Sequence, residues 1–167
     1  MALRNIVTKG EKILYKVCRP VAKFDEKLHT LLDDMAETLT DANGVGLAAP
    51  QVGILRRAAL VIETNVNEEE GEEEFIIEFI NPEIIEVSGE QTGAEGCLSA
   101  PNEYGIVTRP EYVRARAQDR FGEWFEYEGT GLTARCMCHE FEHLDGHLFL
   151  EKCERMLTEE EINGTGE

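Results

Sequence analysis

The chain has 167 residues, a length that makes one domain able to bury a core without disulfides. Apolar residues at 42% and charged residues at 30% describe a soluble globular protein, and no run of about 18 apolar residues offers a membrane span or a secretory leader. A net charge of −18 repels phosphates and argues against a direct nucleic-acid site, while five cysteines, an odd number, read as reduced thiols of a cytoplasmic protein.

From 24 to 43, apolar residues fall at Leu28, Leu31, Leu32, Met35 and Leu39, one face of a helix. Asp25 is its expected N-cap and Asn43-Gly44 its left-handed stop. The next stretch, "GVGLAAPQVG", holds too many glycines for a helix interior. Residues 58–63 read as a strand. An acidic loop at about 65–74 follows, with six glutamates around Gly71 within 68–74, and is expected to be a solvated connection. Residues 75–80 form the next strand, ended by Asn81-Pro82, and 84–87 run to a turn at Ser88-Gly89. Residues 112–118 and 124–127 make a hairpin around Gly122. A second helix spans 132 to about 144 and stops at Asp145-Gly146. In the polar tail, about 158–167, Thr158 and Glu161 can cap one helical turn, and the last few residues are expected to fray. This order predicts an α+β fold: small mixed sheets around a central second helix, with a preceding N-terminal helix and a short C-terminal helix or tail. The chain forms one domain, 1–167.

The second helix contains His139-Glu140-Phe141-Glu142-His143, an H-E-x-x-H pattern within "CMCHEFEHLDGHLF". Two imidazoles one turn apart can meet one cation while Glu140 stands beside an open coordination position. The third donor is not on the same helix. Cys136 is seven residues before His143, about 10.5 Å of rise at 1.5 Å per residue, whereas donors on one ion lie ~4 Å apart. Cys138 points about 100° away from His139. Phe149 stands where a metzincin has its third histidine, and the tail is too short for a downstream glutamate ligand. His29 reads as a surface residue, His147 lies past the helix stop, and Cys18 and Cys153 read as small core residues. Cys97, in the glycine-flanked and irregular "EGCLSAP", remains. A thiolate and two imidazoles suit zinc and leave one position open for water.

"GVGLAAPQVG", "EGCLS" and "CHEFEHLDG", in this order, resemble peptide deformylase over nearly the whole chain. Gly44, Gly46, Ala48, Ala49 and Gln51 match that family's first motif, and Glu95, Gly96, Cys97 and Ser99 its second. The third motif departs at Cys138, where the family has glutamine, and at Glu142, where it has aspartate. The resemblance implies hydrolysis of the N-formyl group from N-formylmethionyl nascent peptides by a water molecule that the metal acidifies. It implies one Fe²⁺ on Cys97, His139 and His143, with Zn²⁺ or Ni²⁺ as substitutes. It assigns Glu140 as base and acid, and the Gln51 amide and Leu98 N–H as oxyanion donors. Gly46 is then a backbone contact for substrate, Val45, Leu132 and Cys136 wall the methionine pocket, and Glu95 pairs with Arg109 to hold the loop. Arg135 is left open between substrate and solvent. A monomer in transient contact with the ribosome is the expected state. A small zinc endopeptidase would share the helix pattern, and a structural zinc site would need a fourth protein donor that the sequence does not place.

Overall fold

The structure, a computed structural model, describes residues 2–165. The expected fraying at the tail falls on 166 and 167, outside the described residues. Three helices, α1 (Glu26–Asp41), α2 (Gly131–Leu144) and α3 (Glu159–Thr165), accompany eight strands. The strands are β1 (Gly46–Ala48), β2 (Ala58–Glu63), β3 (Phe75–Ser88), β4 (Gln91–Cys97), β5 (Ala100–Arg109), β6 (Tyr112–Gln118), β7 (Trp124–Thr130) and β8 (Arg155–Met156). They form a five-stranded sheet in the order β1-β2-β3-β6-β7 and a three-stranded sheet in the order β4-β5-β8. The α+β class is as expected. The sheets are not mixed: every pairing between these strands is antiparallel.

Residues of β2 alternate between two cores, as the two-residue period of a strand requires. Ala59 and Val61 face α2, with Phe79, Val113, Ala115, Met137 and Phe141. Ala58 and Leu60 face α1, with Leu28, Leu32, Met35 and Leu39. The large sheet is thus covered on both sides, and α2 is buried along almost its whole length from Thr133 to Leu144. Asp25 caps α1 by accepting from the Leu28 N–H at 3.2 Å, and Asn43, at φ 55°, ends it as expected. Gly146, at φ 83°, lies just beyond the end of α2. Arg57 adds a second stop there, donating to Asp145 Oδ1 at 2.8 Å and to the Leu144 carbonyl at 3.3 Å.

Two strand expectations are corrected. Asn81-Pro82 does not end a strand; β3 runs through it with a register shift between Ile80 and Glu83. Asn81 takes φ 51°, and its amide bonds both backbone groups of Val21, at 2.7 and 2.9 Å, and Gln118 at 2.8 Å. The bulge absorbs the missing N–H of Pro82, so the strand continues. The second correction concerns "EGCLSAP". It is not irregular: Cys97 ends β4, Ala100 begins β5, and the two pair across a tight connection. Glycine-rich β4 and the polar start of β5 carry no clear alternation, which hid the hairpin.

Candidate active site

Helix α2 and the β4–β5 hairpin meet with their functional side chains converging. His139 and His143, four residues apart, present Nε2 atoms 3.2 Å from each other. The register shift between Gly96 and Cys97 turns the thiol of Cys97 toward them, with Sγ 3.4 Å from His143 Nε2. The three donor atoms lie within 4.8 Å of one another. Donors about 2.0–2.3 Å from one tetrahedral ion stand roughly 3.3–3.8 Å apart, so the group has the span of a single-ion site.

The surroundings fit a cation. His139 Nδ1 meets Glu95 Oε2 at 2.7 Å, which fixes that nitrogen as the proton donor and leaves Nε2 facing inward. His143 is held neutral, lowered by burial and by His139. The lone pair of His139 Nε2 therefore faces His143 Nε2 at 3.2 Å, a separation that a proton or a cation can bridge. Against the pull of burial, Glu140, Cys97 and Glu95 favour a positive charge on His139. The same electron-rich cluster would favour a divalent ion in place of that proton.

Glu140 is 4% exposed, with Oε1 lacking a hydrogen-bond partner among the described residues. Burial pushes its carboxyl up to about 7, with His139 opposing and Glu95 adding to the rise. Its other oxygen lies against Gly46, where a Cβ would stand 2.5 Å away. A carboxyl that titrates near neutrality beside three metal-type donors is placed for proton transfer. Gln51 is buried; Oε1 accepts from the Ala48 N–H at 2.9 Å, and Nε2 donates to Ser99 Oγ at 3.1 Å and lies 3.5 Å from Cys97 Sγ. Leu98 follows Cys97 directly and packs over Gly44.

These groups open into a cavity of about 340 Å³ walled by Val45, Gly46, Cys97, Leu98, His139 and Glu140, with Tyr104 at its edge. Two expected wall residues are not brought there. Leu132 sits on the first turn of α2, 47% exposed, and Cys136 turns into the core with Met137 and Ala134, its thiol pushed upward by burial first and by Glu140. A helix rises about 1.5 Å per residue, which puts Leu132 roughly 10 Å along α2 from His139.

Glu95 and Arg109 form a buried ion pair, with Arg109 Nη2 at 2.7 Å from Oε2 and Nε at 3.2 Å from Oε1. Burial raises the Glu95 carboxyl, but the hydrogen bonds from His139 and Arg109 outweigh it and hold the group at about 2. Arg109 also reaches Glu142 at 2.7 Å, and Lys152 bonds the other oxygen of Glu142 at 2.5 Å. Glu142 and Cys138 line a separate groove behind α2, away from the three donors. Arg135, whose direction was open, is buried away from solvent and bonds Glu95. Sequence reasoning did not assign roles to Ser99, Tyr104 or Lys152. The motif signal around Cys97 covers Ser99; nothing local marks the other two.

His147 is exposed and pairs with Glu151 at 3.4 Å. His29 is more covered than a surface residue, with Nε2 donating to the Arg120 carbonyl at 2.8 Å. Cys18 is buried as expected, whereas Cys153 is partly exposed.

A family profile described as polypeptide deformylase matches residues 3–159. A peptide deformylase of Agathobacter rectalis is 54% identical over 157 residues, 94% of this chain and 94% of its own length. Peptide deformylase 1 of Bacillus subtilis is 49% identical, with 97% of each chain covered. Among solved structures, the peptide deformylase of Thermotoga maritima superposes with a TM-score of 0.84 at 35% identity, covering 92% of this chain and 99% of that one. A class I type b peptide deformylase of Acinetobacter baumannii, bound to Met-Ala-Ser, gives 0.82 at 37% identity, with 90% and 98% covered. These similarities span nearly the full sequence and the whole fold around the site, and the chain belongs to the polypeptide deformylase family, a family of hydrolases.

Proposed function

We propose that the enzyme removes formyl from the N-terminal formyl-methionine of newly made proteins by water-dependent hydrolysis at Cys97, His139 and His143. The observation that carries this reading is the meeting of one thiol and two imidazoles with a buried Glu140, at a cavity that Cys97, His139 and Glu140 line. These three side chains would hold Fe²⁺, with Zn²⁺ or Ni²⁺ able to replace it. Such an ion supplies Lewis-acid chemistry, acidifying water and polarising a carbonyl.

The remaining steps belong to the chain. Glu140 takes a proton from the attacking water and returns it to the departing amine, a role that its buried position beside the three donors supports. The Gln51 amide, held by Ala48 and Ser99, and the Leu98 N–H donate to the oxygen that becomes negative as the formyl carbon turns tetrahedral. Gly46 offers its backbone groups to an extended substrate, while the space its Cβ would take is filled by Glu140. Val45 gives the cavity wall an apolar surface. The bound Met-Ala-Ser of the Acinetobacter baumannii relative supports a methionine-first peptide as the occupant. Among the described residues no helix is long and apolar enough to cross a membrane. A nascent-chain substrate supports a cytoplasmic enzyme that meets the ribosome transiently, and we propose that it acts as a monomer.

Formate release from a formyl-Met tripeptide, measured anaerobically with metal content in the same sample, tests the proposal. Formyl-Met peptides should be cleaved far faster than acetyl-Met peptides. Cleavage of internal bonds in casein without formate release would replace this reading with an endopeptidase.

A further inference from the structure

Arg135 stands on α2 four residues before His139, so the two side chains share one helix face. It is 7% exposed. Nη1 donates to Glu95 Oε1 at 2.8 Å, and Nη2 donates to the Val107 carbonyl at 3.1 Å. Glu95 belongs to β4 and Val107 to β5. Among the described residues, Arg135 is the one side chain of α2 that bonds both strands of the hairpin.

That hairpin carries Cys97, whereas α2 carries His139 and His143. The three donors therefore ride on two pieces, and their spacing depends on how firmly the pieces are registered. The Glu95–Arg109 pair is internal to the hairpin and cannot set this register. Besides the 3.4 Å approach of Cys97 to His143 among the donors themselves, the polar ties across the gap near the donors are, among the described residues, His139 to Glu95, Arg109 to Glu142, and the two bonds of Arg135. A guanidinium has a rigid, planar fork of donors, so its two bonds fix direction as well as distance. Arg135 also brings a second cation to Glu95, whose carboxylate accepts from Arg109, Arg135 and His139 together. Both oxygens of Glu95 are thereby pinned, and with them the ring of His139.

We propose that Arg135 is a positioning residue that registers the Cys97 hairpin against the histidine helix and so governs how tightly the site retains its metal. The inference rests on the reading of Cys97, His139 and His143 as the donors.

The test loads wild type, Arg135→Met and Arg135→Lys with Co²⁺ anaerobically and follows release to excess chelator. The visible bands of cobalt and the thiolate-to-cobalt charge-transfer band report the site directly, and kcat and KM for a formyl-Met tripeptide accompany them. Loss of an outer partner of a metal ligand typically costs 10–100-fold in affinity. Arg135→Met should release cobalt about 10–100-fold faster, with shifted cobalt bands and lower kcat at unchanged KM. Lysine retains the charge but cannot grip Glu95 and Val107 in one plane, so Arg135→Lys should fall between the two. Release within twofold of wild type in both folded variants overturns the proposal. If Arg135→Met does not fold, the lysine variant decides alone: release several-fold faster supports the proposal, and release within twofold of wild type overturns it. A wild type that gives no thiolate-to-cobalt band overturns the donor reading itself.

Discussion

The contact between Gly46 and Glu140 allows a perturbation that can be worked from distances. A Cβ added at Gly46 would lie 2.5 Å from Glu140 Oε2, 2.8 Å from Cγ and 2.9 Å from Cδ. Ordinary contact for such a Cβ begins at 3.4 Å, so the carboxylate must retreat by about 0.9 Å. Glu140 is buried, and retreat also changes its aim at the reacting water. A displacement of about 1 Å in a reacting group can cost about 100-fold in rate. Gly46→Ala should therefore lower kcat for a formyl-Met tripeptide about 100-fold, with the metal still bound. Saturating substrate isolates kcat from any effect on binding. The circular dichroism spectrum and metal content of the variant should match wild type. If folded, metal-loaded Gly46→Ala kept more than half of the wild-type kcat, the position of Glu140 against Gly46 would not be what catalysis needs.

Glu140→Gln should retain metal and lose about 10²–10⁴ in turnover, measured by formate release. Cys97→Ser should come out of anaerobic purification with little or no metal; full occupancy by iron would remove Cys97 from the donor set. Phe79 is fully buried and packs against the rings of Phe125, Tyr127 and Phe141, so Phe79→Ala should lose roughly 3–5 kcal/mol in urea unfolding. Asp34 is held below its ordinary value of 3.8, first by the Ala2 N–H and, against burial, by Arg4. Its contribution is thus complete above pH 3.8 and is lost as pH falls through the lower folded value. Asp34→Asn should flatten this part of the acid limb of a thermal-midpoint profile.

The two long helices were legible because their signals are local. Leucines at helical spacing, an Asp25 cap and the Asn43 and Gly146 stops each act within a few residues. The histidine pair was legible for the same reason, and helix geometry alone removed Cys136 and Cys138 as donors. The hairpin was not, since Gly93, Gly96 and Gly105 interrupt the alternation that marks a strand. The bulge at Asn81 depends on Val21, 60 residues away, which no window around Pro82 contains. Arg135 escaped because a charged residue on a helix usually points outward, and its inward turn depends on Glu95 and Val107 arriving from the hairpin. Leu132 was read from the resemblance and Cys136 from its helix face; neither lines the cavity, Leu132 being half exposed and Cys136 buried.

The small sheet is also the less stable part of the fold by packing. Its core consists of Ala100, Val107 and Phe149, against the extended clusters that clasp the large sheet between α1 and α2. Segments with few buried apolar contacts open locally before the whole molecule unfolds. Amide protons of β4 and β5 should therefore exchange with solvent ahead of those of β2 and β3. Cys97 belongs to this segment, so each such opening would expose its sulfur to dissolved oxygen while the helix and its histidines stay folded. In air the enzyme should accordingly fail by oxidation of one sulfur, through sulfenic acid and beyond. Activity would then decay while the circular dichroism spectrum stays native.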